Sequence, residues 1–138
     1  MQVAIRALIV DDSPRFIEAA RSLLERQGII TVGVASTSAE ALQRVAELRP
    51  DVTLIDVELG ADSGFEVARL LAEAPGNASS PAILMSAHRA DDFADLISAS
   101  PALGFISKVD LSANAIRAFL DGLPEGGPCL HEALIYST

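Results

Sequence analysis

Cysteine occurs once in the 138 residues, at Cys129; tryptophan is absent, and aromatic side chains make up 4% of the chain. One cysteine cannot staple a fold. No Cys or His cluster with zinc-ligand spacing accompanies it, which excludes a disulfide scaffold and a structural zinc module. No apolar run approaches the roughly 18 residues that a membrane-spanning helix needs, so no membrane association is expected. The start lacks the basic, apolar and small-residue succession of a secretory signal. A reducing, cytoplasmic setting is therefore expected. Bases are scarce too: 10 Lys and Arg stand against 19 Asp and Glu, a formal charge of −9. Phosphate backbones are held by clustered Lys and Arg, so direct nucleic acid binding by this chain is not expected.

What the chain does have is length for one ordinary core, with half of its residues apolar. Residues 3–10 are dense in β-branched and apolar side chains and predict a buried strand. Ser13 and Pro14 follow as an N-cap and first helical residue. Phe16, Ala19, Ala20, Leu23 and Leu24 then recur at helical spacing up to a terminating Gly28. A strand over 30–35 precedes a helix from Ser38, with Ala41, Leu42, Val45 and Leu48 inward and Pro50 as its stop. The alternation repeats with a strand over 52–55, the loop "VELGADSG", and a helix carrying Phe65, Ala68, Leu71 and Ala72 up to the Pro75-Gly76-Asn77 break. A strand over 82–85, a short helix around Phe93, Leu96 and Ile97, a strand over 104–107, and a helix capped by Ser112 complete the series. The last helix turns Ile116, Phe119 and Leu120 inward. Five strands alternating with five helices predict an α/β, doubly wound parallel sheet. Ligands of such sheets bind outside the carboxyl ends of the strands.

The polar residues directly beyond the apolar runs are Asp11 and Asp12, Asp56, Ser86 and Lys108. One Asp after a strand is ordinarily a turn or cap residue. Four strands ending in three acids, a hydroxyl and a base form a pattern instead. Ser13 and Pro14 suffice to start their helix, which leaves the aspartate pair with no structural task requiring both. Three carboxylates and one ammonium leave a local charge of about −2. Two unit charges about 4 Å apart repel by about 4 kcal/mol at an effective dielectric near 20, so a proton or a cation must compensate. A hard divalent ion such as Mg²⁺ suits an all-oxygen set, and zinc does not. With the charge balanced, a carboxylate can attack phosphorus to form an acyl phosphate. Asp56, alone at the end of a central strand, is the candidate nucleophile; the adjacent pair suits metal.

"LIVDDSP", "DVTLIDVELGADSGFEV", "AILMSAH" and "LGFISKVDLS" together resemble the receiver domain of bacterial two-component response regulators, over about residues 4–122. That resemblance implies a flavodoxin-like five-stranded sheet of order 2-1-3-4-5. It implies phosphorylation of Asp56 by a histidine kinase, a phosphotransfer protein or a small phosphodonor, a signalling switch with only self-phosphorylation and self-dephosphorylation chemistry. Asp12 would bind Mg²⁺ directly and Asp11 through water, with Asp56 and the Glu58 carbonyl completing the set. Ser86 would turn toward the phosphoryl group, Lys108 would pair with it, and Phe105 would change rotamer with phosphorylation state or remain a plain core phenylalanine. Homodimerisation through the fourth helix, fifth strand and fifth helix is implied as well.

Three positions depart from the usual receiver pattern. Val109 stands where proline often follows the lysine, so an ordinary trans peptide is expected there; "KVDLS" resembles receivers joined to small helix-turn-helix output domains. Gly60 replaces a common proline, giving that loop more freedom. Ser86 replaces threonine and keeps the hydroxyl. Glu58 and His88 occupy positions expected to flank the attacking water and set phosphoryl lifetime. Domain limits are expected at 1–122, with 123–138 a C-terminal tail that is either disordered or a short docking helix. Two rivals remain: a degenerate receiver acting as an interaction module, and an aspartate-nucleophile phosphohydrolase, whose usual second acid two residues on is Ser13 here.

Overall fold

The computed structural model describes residues 4–60, 62–73, 81–88 and 90–121. Its strand β1 (Ile5–Val10) sends Ala7 and Ile9 to one face of a sheet and Leu8 and Val10 to the other, all four fully buried. A strand apolar on both faces must be covered on both, which makes it central to a parallel sheet. It pairs in parallel with β2 (Ile29–Ala35) and β3 (Val52–Asp56). After a two-residue pair, β4 (Glu58–Leu59) and β5 (Asp62–Ser63), come β6 (Ala82–Ser86) and β7 (Gly104–Ser107). The main sheet has the order β2-β1-β3-β6-β7, the expected doubly wound arrangement.

Five helices cover it: α1 (Pro14–Arg26), α2 (Ser38–Leu48), α3 (Gly64–Glu73), α4 (Ala94–Ala99) and α5 (Ala113–Asp121). Ala20 and Leu24 of α1 and Ala113 and Ile116 of α5 pack on the Ala7–Ile9 face, while Ala41, Val45, Val67 and Leu71 of α2 and α3 pack on the other. Each fully buried Leu, Ile or Val side chain among these contributes about 1.5–3 kcal/mol.

The expected caps are present. Ser13 Oγ accepts from Phe16 N at 3.3 Å with Pro14 at the first helical position, and Ser112 Oγ accepts from Ala115 N at 3.0 Å. Thr37 is the cap before Ser38. Gly28, just past α1, has φ +94°, the left-handed conformation that ends helices at glycine.

One expectation changes. The stretch after Asp56 is a hairpin rather than an open loop: Glu58 pairs with Ser63 and Leu59 with Asp62, antiparallel. Gly60 takes φ +63° at the first turn position, which two-residue hairpin loops require of one or both central residues. Leu59, 3% exposed, anchors the hairpin in the core. The short helix expected around Phe93, Leu96 and Ile97 is present as the six residues of α4, preceded by a 3-10 turn over Ala90–Phe93. β2 also begins one residue earlier than expected, at buried Ile29. The peptide after Lys108 is trans. Val3, the Pro75-Gly76-Asn77 break and the tail 123–138 with Cys129 lie outside the described residues. Among the described residues no helix is long and apolar enough to cross a membrane.

Candidate functional site

The register brings the strand ends to one edge. Val10 of β1 lies opposite Ile55 of β3, Asp56 opposite Met85 of β6, and Ser86 opposite Ser107 of β7. Asp11 and Asp12 leave the sheet after β1, and Lys108 leaves it after β7. Asp11, Asp12 and Asp56 each offer a carboxylate oxygen, and these atoms all lie within 4.8 Å of one another. Asp11 and Asp56 are buried and Asp12 is exposed.

Lys108 crosses to this cluster. Its Nζ lies 2.8 Å from Asp11 Oδ2 and donates to Asp56 Oδ2 at 3.2 Å. The approach to Asp11 is an ion pair without hydrogen-bonding angles, so Asp11 Oδ2 is a buried oxygen held by charge alone. An all-oxygen set containing such an atom fits a hard divalent cation. Burial works against the Lys108 ammonium, but Asp11 and Asp56 more than offset it and its pKa is raised. For Asp56, burial is the largest influence and raises the carboxyl pKa; the Asp11 charge adds to it, while the Glu58 N–H and Lys108 oppose it. Burial and the neighbouring Asp11 charge thus both disfavour the ionised form of Asp56 in the folded chain.

Asp11 has a structural task as well. Its Oδ1 accepts from Ser13 N at 2.8 Å and shapes the turn into α1. Asp56 Oδ1 likewise accepts from Glu58 N at 3.1 Å. Ser86 is fully buried, and its Oγ accepts from His88 N at 2.9 Å, which leaves its proton free to donate elsewhere. Phe105 is half-buried, with its ring 6.4 Å from that of Phe93, which in turn lies 5.9 Å from Phe65 and 6.2 Å from His88. His88 Nε2 reaches Glu58 Oε1 at 3.4 Å, with both side chains more than half exposed.

Three contributors were not expected from sequence. Phe16 places its ring centroid 4.2 Å from Lys108 Nζ, a cation–π contact; nothing in the sequence separates it from other apolar positions of α1. Gly64 starts α3 against the Asp56 backbone, and Asp62 bonds α2; both lie in the stretch taken for a loop.

Sequence comparison agrees with this architecture. The profile of the response regulator receiver domain matches residues 7–120, and the chain belongs to that family of two-component systems. It is 32% identical to the DNA-binding transcriptional activator EvgA of Escherichia coli K12 over 83% of this chain and 55% of that protein. It is 36% identical to a protein-glutamate methylesterase/protein-glutamine glutaminase of Haloarcula marismortui over 70% of this chain and 25% of the other. A two-component response regulator of the LuxR family from Aurantimonas sp. SI85-9A1 superimposes with a TM-score of 0.77 at 26% identity, covering 98% of both chains. The chain spans well under two thirds of the length of these two curated relatives.

Proposed function

We propose that this receiver is a phosphorylation-dependent switch that takes a phosphoryl group on Asp56 from a histidine kinase, a phosphotransfer protein or a small phosphodonor with Mg²⁺. The observation that carries the reading is the position of Lys108 Nζ, 2.8 Å from Asp11 and 3.2 Å from Asp56, beside three clustered carboxylates. A nucleophile, a cation seat and a phosphate-pairing ammonium stand together there. Mg²⁺, when bound, supplies the positive charge that lets a phosphoryl group approach three acids. Exposed Asp12 is suited to direct ligation. Asp11, already engaged by Ser13 N and Lys108, is suited to ligation through water, and Asp56 and the Glu58 carbonyl complete the set.

In the transfer, an Asp56 oxygen forms the O–P bond while the P–N bond of a phosphohistidine or the P–O bond of an acyl phosphate breaks. The leaving imidazole or carboxylate keeps the electron pair, and imidazole takes its proton from water. Lys108 then pairs with the phosphoryl oxygens, the Ser86 hydroxyl donates to them, and half-buried Phe105 moves with that rearrangement.

Incubation with acetyl phosphate and Mg²⁺ tests this on a phosphate-affinity gel. A labile, slower species is expected. Consumption of acetyl phosphate without that species would mean a hydrolase, and no reaction would mean a phosphorylation-independent interaction module.

Glu58 and His88 meet at 3.4 Å, and in this reading they restrict the water that attacks the acyl phosphate. Exposed pairs contribute about 0.2–1 kcal/mol. Glu58→Ala and His88→Ala should therefore each speed phosphoryl loss by up to about fivefold. Unchanged decay in both, followed by quenched time points, would remove the pair from the mechanism.

The same reading places the protein in the cytoplasm, as a stand-alone receiver or as part of a longer regulator whose output would be DNA-binding, as in EvgA. Signalling would use the α4–β7–α5 face, where Leu96 is 53% and Val109 87% exposed. A doubled mass by light scattering on phosphorylation is the mark of dimerisation through it, and an unchanged mass would exclude it.

A further inference from the structure

The hairpin after Asp56 is tied to a second element by an acid with no part in the constellation above. Ser38 N, at the first residue of α2, donates to Asp62 Oδ2 at 2.8 Å. Ser38 and Asp62 are 24 residues apart, so this is a tertiary tie rather than a local turn. The first amides of a helix lack intrahelical acceptors, and the helix dipole favours a negative charge beside them. Thr37 Oγ1 takes the Glu40 amide at 3.1 Å, and Asp62 takes the Ser38 amide that the cap leaves over.

What the tie holds is the wall of the cation site. Asp62 pairs with Leu59, and the same hairpin carries Glu58, whose amide bonds Asp56 Oδ1. At the hairpin tip, Gly60 lies so close to Asp12 that an added Cβ would stand 3.2 Å from Asp12 Oδ2. The hairpin therefore touches two of the three clustered acids. It is fixed on one side by buried Leu59 and on the other by Asp62.

We infer that Asp62 is a positioning residue for the divalent cation: by fastening the hairpin to α2 it sets the Glu58 backbone and the Gly60 turn against Asp56 and Asp12. This rests on the cation site proposed above. Groups that support metal ligands from behind commonly govern affinity by about 10–100-fold.

Calorimetric titration of Mg²⁺ into the full chain tests it in four proteins: wild type, Asp62→Ala, Asp62→Asn and Glu25→Gln. Asp62→Ala should bind about tenfold more weakly. Asp62→Asn keeps an oxygen for the Ser38 amide and should recover most of that affinity, which no general loss of stability would produce. Glu25→Gln removes one charge at the far end of α1 and should match wild type. Equal affinity of Asp62→Ala and wild type would overturn the inference while leaving the cation site intact. An equal weakening in Glu25→Gln would also overturn it, by reducing the effect to net charge. No binding by wild type would overturn the cation site and the inference together.

Discussion

Asp56→Asn should abolish phosphoryl accumulation from acetyl phosphate and, in metal-free buffer at neutral pH, yield a more stable domain. The first effect follows from chemistry: an amide oxygen does not form a lasting phosphoryl ester under conditions where a carboxylate does. The second follows from the site's electrostatics. Burial, reinforced by the Asp11 charge, raises the Asp56 pKa above the ordinary aspartate value despite Glu58 N and Lys108. Between that ordinary value, about 3.9, and the raised one, the folded chain holds a proton that the unfolded chain has released. Stability therefore falls as pH rises across this window, and the whole cost is present above it. Asparagine removes the cost.

Lys108 is not stranded by the change, because it retains Asp11 at 2.8 Å and is 16% exposed. Relief of an unfavourable charge commonly yields about 0.5–2 kcal/mol. The gain should shrink as pH is lowered through the raised Asp56 pKa, where wild type also loses the charge, and as Mg²⁺ is added to wild type. Urea titrations at several pH values check it; a destabilised Asp56→Asn at neutral pH would show that the pairing with Lys108 outweighs burial and repulsion.

Gly64→Ala should cause the larger loss of stability, about 3 kcal/mol. Gly64 opens α3 and donates to Val57 O at 3.0 Å. A Cβ there would overlap the Asp56 carbonyl oxygen and lie 2.6 Å from Val57 Cα and 2.7 Å from the Asp56 carbonyl carbon. Every one of these is a backbone atom, so no rotamer change relieves the clash. The reason is space alone, since Gly64 has no positive φ. Relief would have to move α3 or the end of β3, and the second option drags the phosphoacceptor candidate with it.

Gly104→Ala is the internal comparison. The three atoms nearest its added Cβ all belong to the ring of Phe119, a half-buried side chain that can turn away, and the loss should be about 1 kcal/mol. Urea unfolding midpoints rank the two. Equal losses would mean that the β3–α3 junction yields more easily than its backbone contacts imply.

Most of the fold was legible because it rests on periodicity. The apolar run of β1, the helical spacing from Phe16 to Leu24, and the caps at Ser13 and Ser112 state their elements locally. The site was legible for a related reason: in a parallel sheet every residue just beyond a strand lands on one edge, so Asp11, Asp56, Ser86 and Lys108 converge by topology. What escaped was geometry between loops. The hairpin of Glu58–Leu59 and Asp62–Ser63 has two residues per strand, too few for an alternating pattern, and only glycine at its turn hinted at it. The tie of Asp62 to Ser38 and the seat of Lys108 over Phe16 each join segments whose sequences carry no sign of one another. The aspartate pair was read as having no structural task requiring both, and sequence shows the charge of Asp11 but not its bond to Ser13 N.

The most direct measurement is the location of the phosphoryl group. The chain is treated with acetyl phosphate, with Mg²⁺ or with EDTA, reduced with borohydride to convert an acyl phosphate at aspartate into homoserine, and mapped by mass spectrometry. Homoserine at position 56 alone, formed with Mg²⁺ and lost with EDTA, is the expected result. Modification at another residue, or none in the presence of Mg²⁺, would contradict the account.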